Sequence, residues 1–141
     1  MPFSGFDPDG LALEEFKKAN IDTVVIIFDV DCKINQLLDK YTQTGIRSMF
    51  LPTYPDIPKE KSLKRVIKVI INLAKDGENV GVHCLAGIGR TGLVMACLAI
   101  EILEITGDQA IEFVRKYIPG ALETSGQVEL ARSYKIENRA L

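Results

Sequence analysis

Cys84 and Arg90, with five residues between them, could together hold and attack a phosphate. They lie in V-G-V-H-C-L-A-G-I-G-R-T-G, residues 80–92. A thiolate is a strong nucleophile, and a guanidinium grips two oxygens of one phosphate through its planar fork. Two other readings compete for the same residues. Gly87, Gly89 and Gly92 spell G-x-G-x-x-G, a dinucleotide fingerprint, and Gly87 and Gly92 have the spacing of a nucleotide P-loop. All three put a phosphate in the loop. Only the first has the protein attack it.

The chemistry around the glycines chooses among them. A nucleotide P-loop needs Lys and then Ser or Thr after its last glycine, and this chain has Leu93 and Val94. A dinucleotide fold needs a second strand ending in an acidic residue about 20 residues on. Here residues 102–117 read as helix, turn and helix. The cysteine–arginine reading accounts for more. Ala86 and the glycines permit a tight loop whose backbone N–H groups, from Leu85, Ala86, Gly87, Ile88, Gly89 and Arg90, converge on an anion. A helix beginning near Arg90 aims its positive end at the same point and should hold Cys84 as thiolate. Thr91 sets a hydroxyl near the sulfur, where it can assist the sulfur as a leaving group. The blander reading makes Cys84 a buried strand-end thiol and Arg90 a surface charge, and leaves His83, the glycines and Thr91 without a reason.

The stretch H-C-L-A-G-I-G-R-T-G resembles the signature of the cysteine-dependent protein tyrosine phosphatases, H-C-x2-G-x2-R-[ST]-G. It meets that signature at His83, Cys84, Gly87, Arg90, Thr91 and Gly92. Pro119, Gly120, Ala121, Leu122, Glu123, Thr124 and Gln127 match P-G-[SA]-[LIV]-E-T-x2-Q, found in the small dual-specificity-like and kinase-associated phosphatases of bacteria and archaea. The resemblance is strong from about residue 50 onward and loose over residues 2–28.

It implies a phosphatase acting on phosphoproteins through a cysteinyl-phosphate intermediate, with no cofactor and no metal. Cys84 would be the nucleophile, the loop N–H groups and Arg90 the phosphate cradle, His83 a brace and Gly92 a support. A general acid is expected on a proline-framed loop ahead of the signature. The residues themselves offer Asp56 in P-T-Y-P-D-I-P (residues 52–58), Glu60 and Asp76, and the resemblance selects Asp56. A glutamine in a C-terminal helix reads by itself as a surface residue; the resemblance makes Gln127 the positioner of the hydrolytic water. Lipid- and inositol-directed relatives carry lysines in the signature loop, whereas Leu85, Ala86, Ile88 and Gly89 add no charge. That implies a singly phosphorylated site: phosphotyrosine first, then phosphoserine or phosphothreonine. The alternatives are a phospho-binding pseudophosphatase module and a phosphatase for a small or nucleic-acid 5′-phosphate.

The totals agree with this. A chain of 141 residues suits one domain, and 47% hydrophobic with 26% charged residues is ordinary for a globular protein. No apolar run reaches the roughly 18 residues that span a bilayer, and residues 1–10 do not read as a signal peptide, so a cytoplasmic protein is expected. A net charge of −2 argues against non-specific nucleic-acid binding. Three scattered cysteines make neither a disulfide framework nor a zinc site, and His83 is the lone histidine. A second thiol near Cys84 could trap its sulfenate, but Cys97 reads as a packed core residue and nothing draws Cys32 close. We expect a monomer.

The elements that must position the loop alternate. Helices are expected over residues 9–20, 34–44, 59–76, 90–106, 108–117 and 124–138. Strands are expected over 23–28, 46–51 and 79–83. Residues 52–58, with three prolines, should be irregular. Lys59, Lys61, Lys64, Arg65 and Lys68 read as a solvated helix face. The expected fold is α/β, a mostly parallel central sheet of about four strands with helices on both faces. Relatives usually carry a further strand or two ahead of the M-P-F segment, so a smaller sheet or a later start is the expected departure.

Overall fold

The computed structural model describes residues 11–29, 35–53, 58–83 and 89–136. The element order is α1 (Leu11–Lys18), β1 (Thr23–Asp29), α2 (Asn35–Gln43), β2 (Arg47–Thr53), α3 (Glu60–Lys75), β3 (Val80–His83), α4 (Gly89–Leu103), α5 (Gly107–Tyr117) and α6 (Ser125–Ser133). The strands form a parallel sheet in the order β2-β1-β3.

β1 lies in the middle because T-V-V-I-I-F is apolar on both faces, as a strand covered on both sides must be. Alternation then sorts its side chains. Val25 and Ile27 join the larger core with Leu63, Val66 and Ile67 of α3 and Leu93, Val94 and Cys97 of α4. Val24 and Ile26 join the smaller core with Phe16, Tyr41 and Ile46, on the side of α1 and α2. One strand thus anchors both layers.

Three strands form the sheet among the described residues, where about four were expected. The sequence offers three strand candidates, and no strand follows β3 among the described residues. β2 also runs through Pro52 to Thr53, against the expectation of an irregular segment from residue 52. Proline lacks an N–H, and β2 is the edge strand of the described sheet, where a missing donor breaks no ladder if it faces outward. The last helix ends at Ser133, short of residue 138, because Tyr134 turns extended and packs into the core. Of the basic α3 residues, Lys64 is half-buried, 3.5 Å from Glu60 and 5.9 Å from the centre of the Tyr134 ring, while the others are exposed.

Parallel strands give the sheet two unlike edges. At the amino edge, Glu78 Oε1 accepts from Thr23 Oγ1 at 2.9 Å and pairs with Arg47, and the Asn79 N–H donates to Asp22 Oδ2 at 2.8 Å. At the carboxyl edge, β2 ends at Thr53 and β3 at His83. In open parallel sheets, ligands bind at the carboxyl edge.

Ile27 is fully buried in the layer that carries α4. Ile27→Ala should therefore destabilise the protein by about 2–5 kcal/mol, read as a lower urea midpoint with an unchanged slope.

Candidate active site

β3 reaches the carboxyl edge at His83, and the chain re-enters as α4 at Gly89. The N-terminus of α4 therefore sits at this edge, where its N–H groups and dipole favour an anion. Arg90, Thr91 and Gly92 follow Gly89 in the first turn. Thr91 is 2% exposed, and Nη1 of Arg90 is shielded from solvent. A shielded guanidinium nitrogen beside a helix N-terminus suits a doubly charged oxyanion better than it suits bulk water. Cys84, Leu85, Ala86, Gly87 and Ile88, together with Asp56 and Cys32, lie outside the described residues, and of His83 only the backbone is described.

The segment after α5 closes over this first turn. Ile118 O accepts from Ala121 N at 3.0 Å, with Pro119 and Gly120 (φ 80°) between them, the pattern of a type II turn. Leu122 follows at φ 60°, a left-handed conformation that a leucine adopts at a cost of roughly 1 kcal/mol. Its side chain is buried in the larger core, which offsets that cost. A Cβ on Gly92 would lie 2.7 Å from Ala121 Cβ and 3.1 Å from Leu122 N, so only glycine lets this turn dock on α4.

Gln127 is brought in by the same segment. Thr124 Oγ1 accepts from Gln127 N at 3.1 Å, and Thr124 N donates to Gln127 Oε1 at 3.3 Å. That capping box starts α6 and fixes the glutamine at its third position. Gln127 is 2% exposed, so it is not the surface residue that a C-terminal helix suggests. A Cβ on Gly89 would lie 2.9 Å from Gln127 Oε1 and 3.0 Å from Nε2. The fold therefore sets Gln127 against Gly89, 38 residues earlier in the chain, at the turn that also carries Arg90 and Thr91.

A family model described as "Dual specificity phosphatase, catalytic domain" matches residues 9–135. The chain belongs to this family. It is a cysteine-dependent phosphatase domain of the protein tyrosine and dual-specificity type. It is similar to the mouse "Protein tyrosine phosphatase domain-containing protein 1", 41% identical over 69 residues, which cover 49% of this chain and 9% of that protein. The chain thus spans about a tenth of the first curated relatives it matches. It also resembles the "Probable protein tyrosine phosphatase type IVA B" of Dictyostelium discoideum, 32% identical over 60% of this chain and 53% of that one. Among solved structures, Tk-PTP in its active form superposes with a TM-score of 0.78 at 26% identity, covering 92% of this chain and 84% of that one. Kinase associated phosphatase, with its catalytic cysteine replaced by serine, gives 0.73 at 27% identity, covering 84% and 70%.

Two acids were open besides Asp56. Asp76 caps the C-terminus of α3, two residues before Glu78 at the amino edge, so the domain holds it away from the loop. Glu60 begins α3 and pairs with Lys64 at 3.5 Å. Glu123 is a neighbour that sequence reasoning passed over. A Cβ on Gly89 would lie 2.7 Å from its Oε1, and only its place in the P-G-A-L-E-T match pointed there.

Cys97 packs in the larger core, and burial, with Glu101 adding a smaller push, raises its thiol to about 12. The raised value means that folding favours the neutral thiol. Stability from this group is complete below the unfolded pKa near 9 and is lost as pH rises towards 12. Cys97 should therefore stay unalkylated in native protein at pH 8, where iodoacetamide modifies a low-pKa thiol, and react only after unfolding. Mass mapping of Cys97 in the folded protein reads this directly.

Proposed function

We propose that the protein hydrolyses phosphomonoesters on proteins, phosphotyrosine first and phosphoserine or phosphothreonine also, through a cysteinyl-phosphate intermediate. The observation that carries this reading is the junction of β3 and α4. The H-C-x5-R-T-G signature spans it in the sequence, Arg90 stands in the first turn of α4, and the buried Gln127 packs against Gly89 of that turn.

In the first step the Cys84 thiolate attacks phosphorus in line. The S–P bond forms, the bond from phosphorus to the substrate oxygen breaks, and Asp56 gives that oxygen a proton. The Arg90 fork and the N–H groups of the loop hold the three equatorial oxygens, whose charge grows in the transition state. In the second step water attacks phosphorus, Asp56 takes its proton, the S–P bond breaks and inorganic phosphate leaves. Thr91 donates to the departing sulfur, and Gln127 orients the water. What supports Asp56 is reach. It follows Thr53, the carboxyl end of β2, by three residues, or at most about 10 Å of extended chain.

The same reading makes residues 1–141 one phosphatase domain working in the cytoplasm, since a nucleophilic thiolate acts only while reduced. No helix among the described residues is long and apolar enough to cross a membrane.

Aryl phosphate hydrolysis tests the assignment. Cys84→Ser should lose turnover by at least about 1000-fold while still binding vanadate or tungstate. Unchanged turnover in that variant would sink the enzyme reading, and oxyanion binding by an inert wild type would favour the pseudophosphatase. Asp56→Asn should lose the basic limb of the kcat profile and suffer most with poor leaving groups, whereas Glu60→Gln should behave as wild type. The reverse pattern would move the acid to Glu60.

A further inference from the structure

One charged side chain outside the signature reaches the machinery from behind. Arg115, on α5, donates from Nε to Ala121 O at 2.8 Å and from Nη2 to Leu122 O at 3.2 Å. These carbonyls flank the strained position. Ala121 closes the type II turn, and Leu122 holds the left-handed backbone. Two donors in one rigid plane fix the direction of two successive carbonyls, which a single ammonium cannot do.

Those residues are the ones that touch the first turn of α4. Ala121 and the Leu122 N lie against Gly92, and the chain then runs through Glu123 and Thr124 to Gln127, against Gly89. The far end of α6 is held independently. A Cβ on Gly107 would lie 2.6 Å from Arg132 Cα, and Arg132 Nε is 2.7 Å from Asp108 Oδ1. The α6 helix, nine residues long, is thus pinned to α5 at its C-terminal part, while its N-terminal approach depends on the turn that Arg115 holds.

We propose that Arg115 is a positioning residue for the hydrolytic step. By clamping the Ala121 and Leu122 carbonyls, it seats Gln127 against the first turn of α4. The inference rests on the hydrolytic role proposed for Gln127. Arg115 acts through the Ala121 and Leu122 carbonyls that it holds. Its effect should fall on the second step, where water attacks the cysteinyl phosphate, more than on the first, which relies on Cys84, Arg90 and the acid.

Two measurements on Arg115→Ala and Arg115→Lys test this, with Lys116→Ala as the neighbouring exposed control. Stopped-flow hydrolysis of an aryl phosphate should show a burst of the leaving phenol in Arg115→Ala, followed by steady turnover lowered about 10- to 100-fold. Arg115→Lys should restore part of that rate, and Lys116→Ala should match wild type. Gln127→Ala should lower the same step, and the double variant should be no worse than the poorer single one. The second measurement does not need turnover. In NMR spectra, Arg115→Ala should move the Gln127 side-chain amide and the Gly89 N–H resonances, whereas Lys116→Ala should leave both in place. Unmoved Gln127 and Gly89 signals would overturn the proposal whatever the kinetics. So would additive losses in the double variant, or a loss in Arg115→Ala confined to thermal stability. A wild type without hydrolytic activity would instead defeat the catalytic reading, and the NMR comparison would then decide the clamp alone.

Discussion

The close approach between the first turn of α4 and the segment that leads into α6 is the contact on which the site depends. The two surfaces meet with no Cβ between them at Gly89 and Gly92, where a methyl group would lie under 3 Å from Gln127 or Ala121. This closeness lets a glutamine 37 residues beyond Arg90 share its end of the fold. The approach in turn needs the chain to reverse sharply after α5. Pro119, Gly120 and the left-handed Leu122 make that reversal, and burial of the leucine offsets its backbone strain.

The sheet supplies the second constraint. With its strands parallel, β2 and β3 both end at one edge, although 30 residues separate Thr53 from His83. The return helix α3 carries Asp76 to the opposite edge, where Glu78, Thr23 and Arg47 tie the strand starts together. Edge membership thus outweighs sequence distance for this acid: Asp76 is only eight residues before Cys84 in the chain, yet it lies at the amino edge, opposite the start of α4.

Much of this was legible in the sequence because local patterns are strong there. The apolar T-V-V-I-I-F run could hardly be anything but a central strand, and the α3 pattern of Leu63, Val66, Ile67 and Ile70 faces the core as its spacing requires. The signature around Cys84 and Arg90 carried the family before any fold was known. The misses have local causes. Pro52 reads as a breaker, yet at an edge a missing donor is tolerated. Tyr134 left its helix for the core, where its hydroxyl donates to Glu101 at 2.9 Å. The expected fourth strand has no counterpart among the described residues, whose sheet holds three.

The sequence by itself determined the chemistry: a thiol and a guanidinium at a set spacing, glycines that free the backbone between them, and a family pattern that extends to Gln127. Residue type and short-range spacing carry such information, because nucleophilicity, charge and backbone freedom belong to the residues themselves. What only the tertiary structure decided was companionship. It turned Gln127 from a surface-looking helix residue into a buried neighbour of Gly89, sent Asp76 to the wrong edge and set Arg115 behind the turn as a clamp. Those outcomes depend on which elements pack together across many residues of chain, and no local pattern records that.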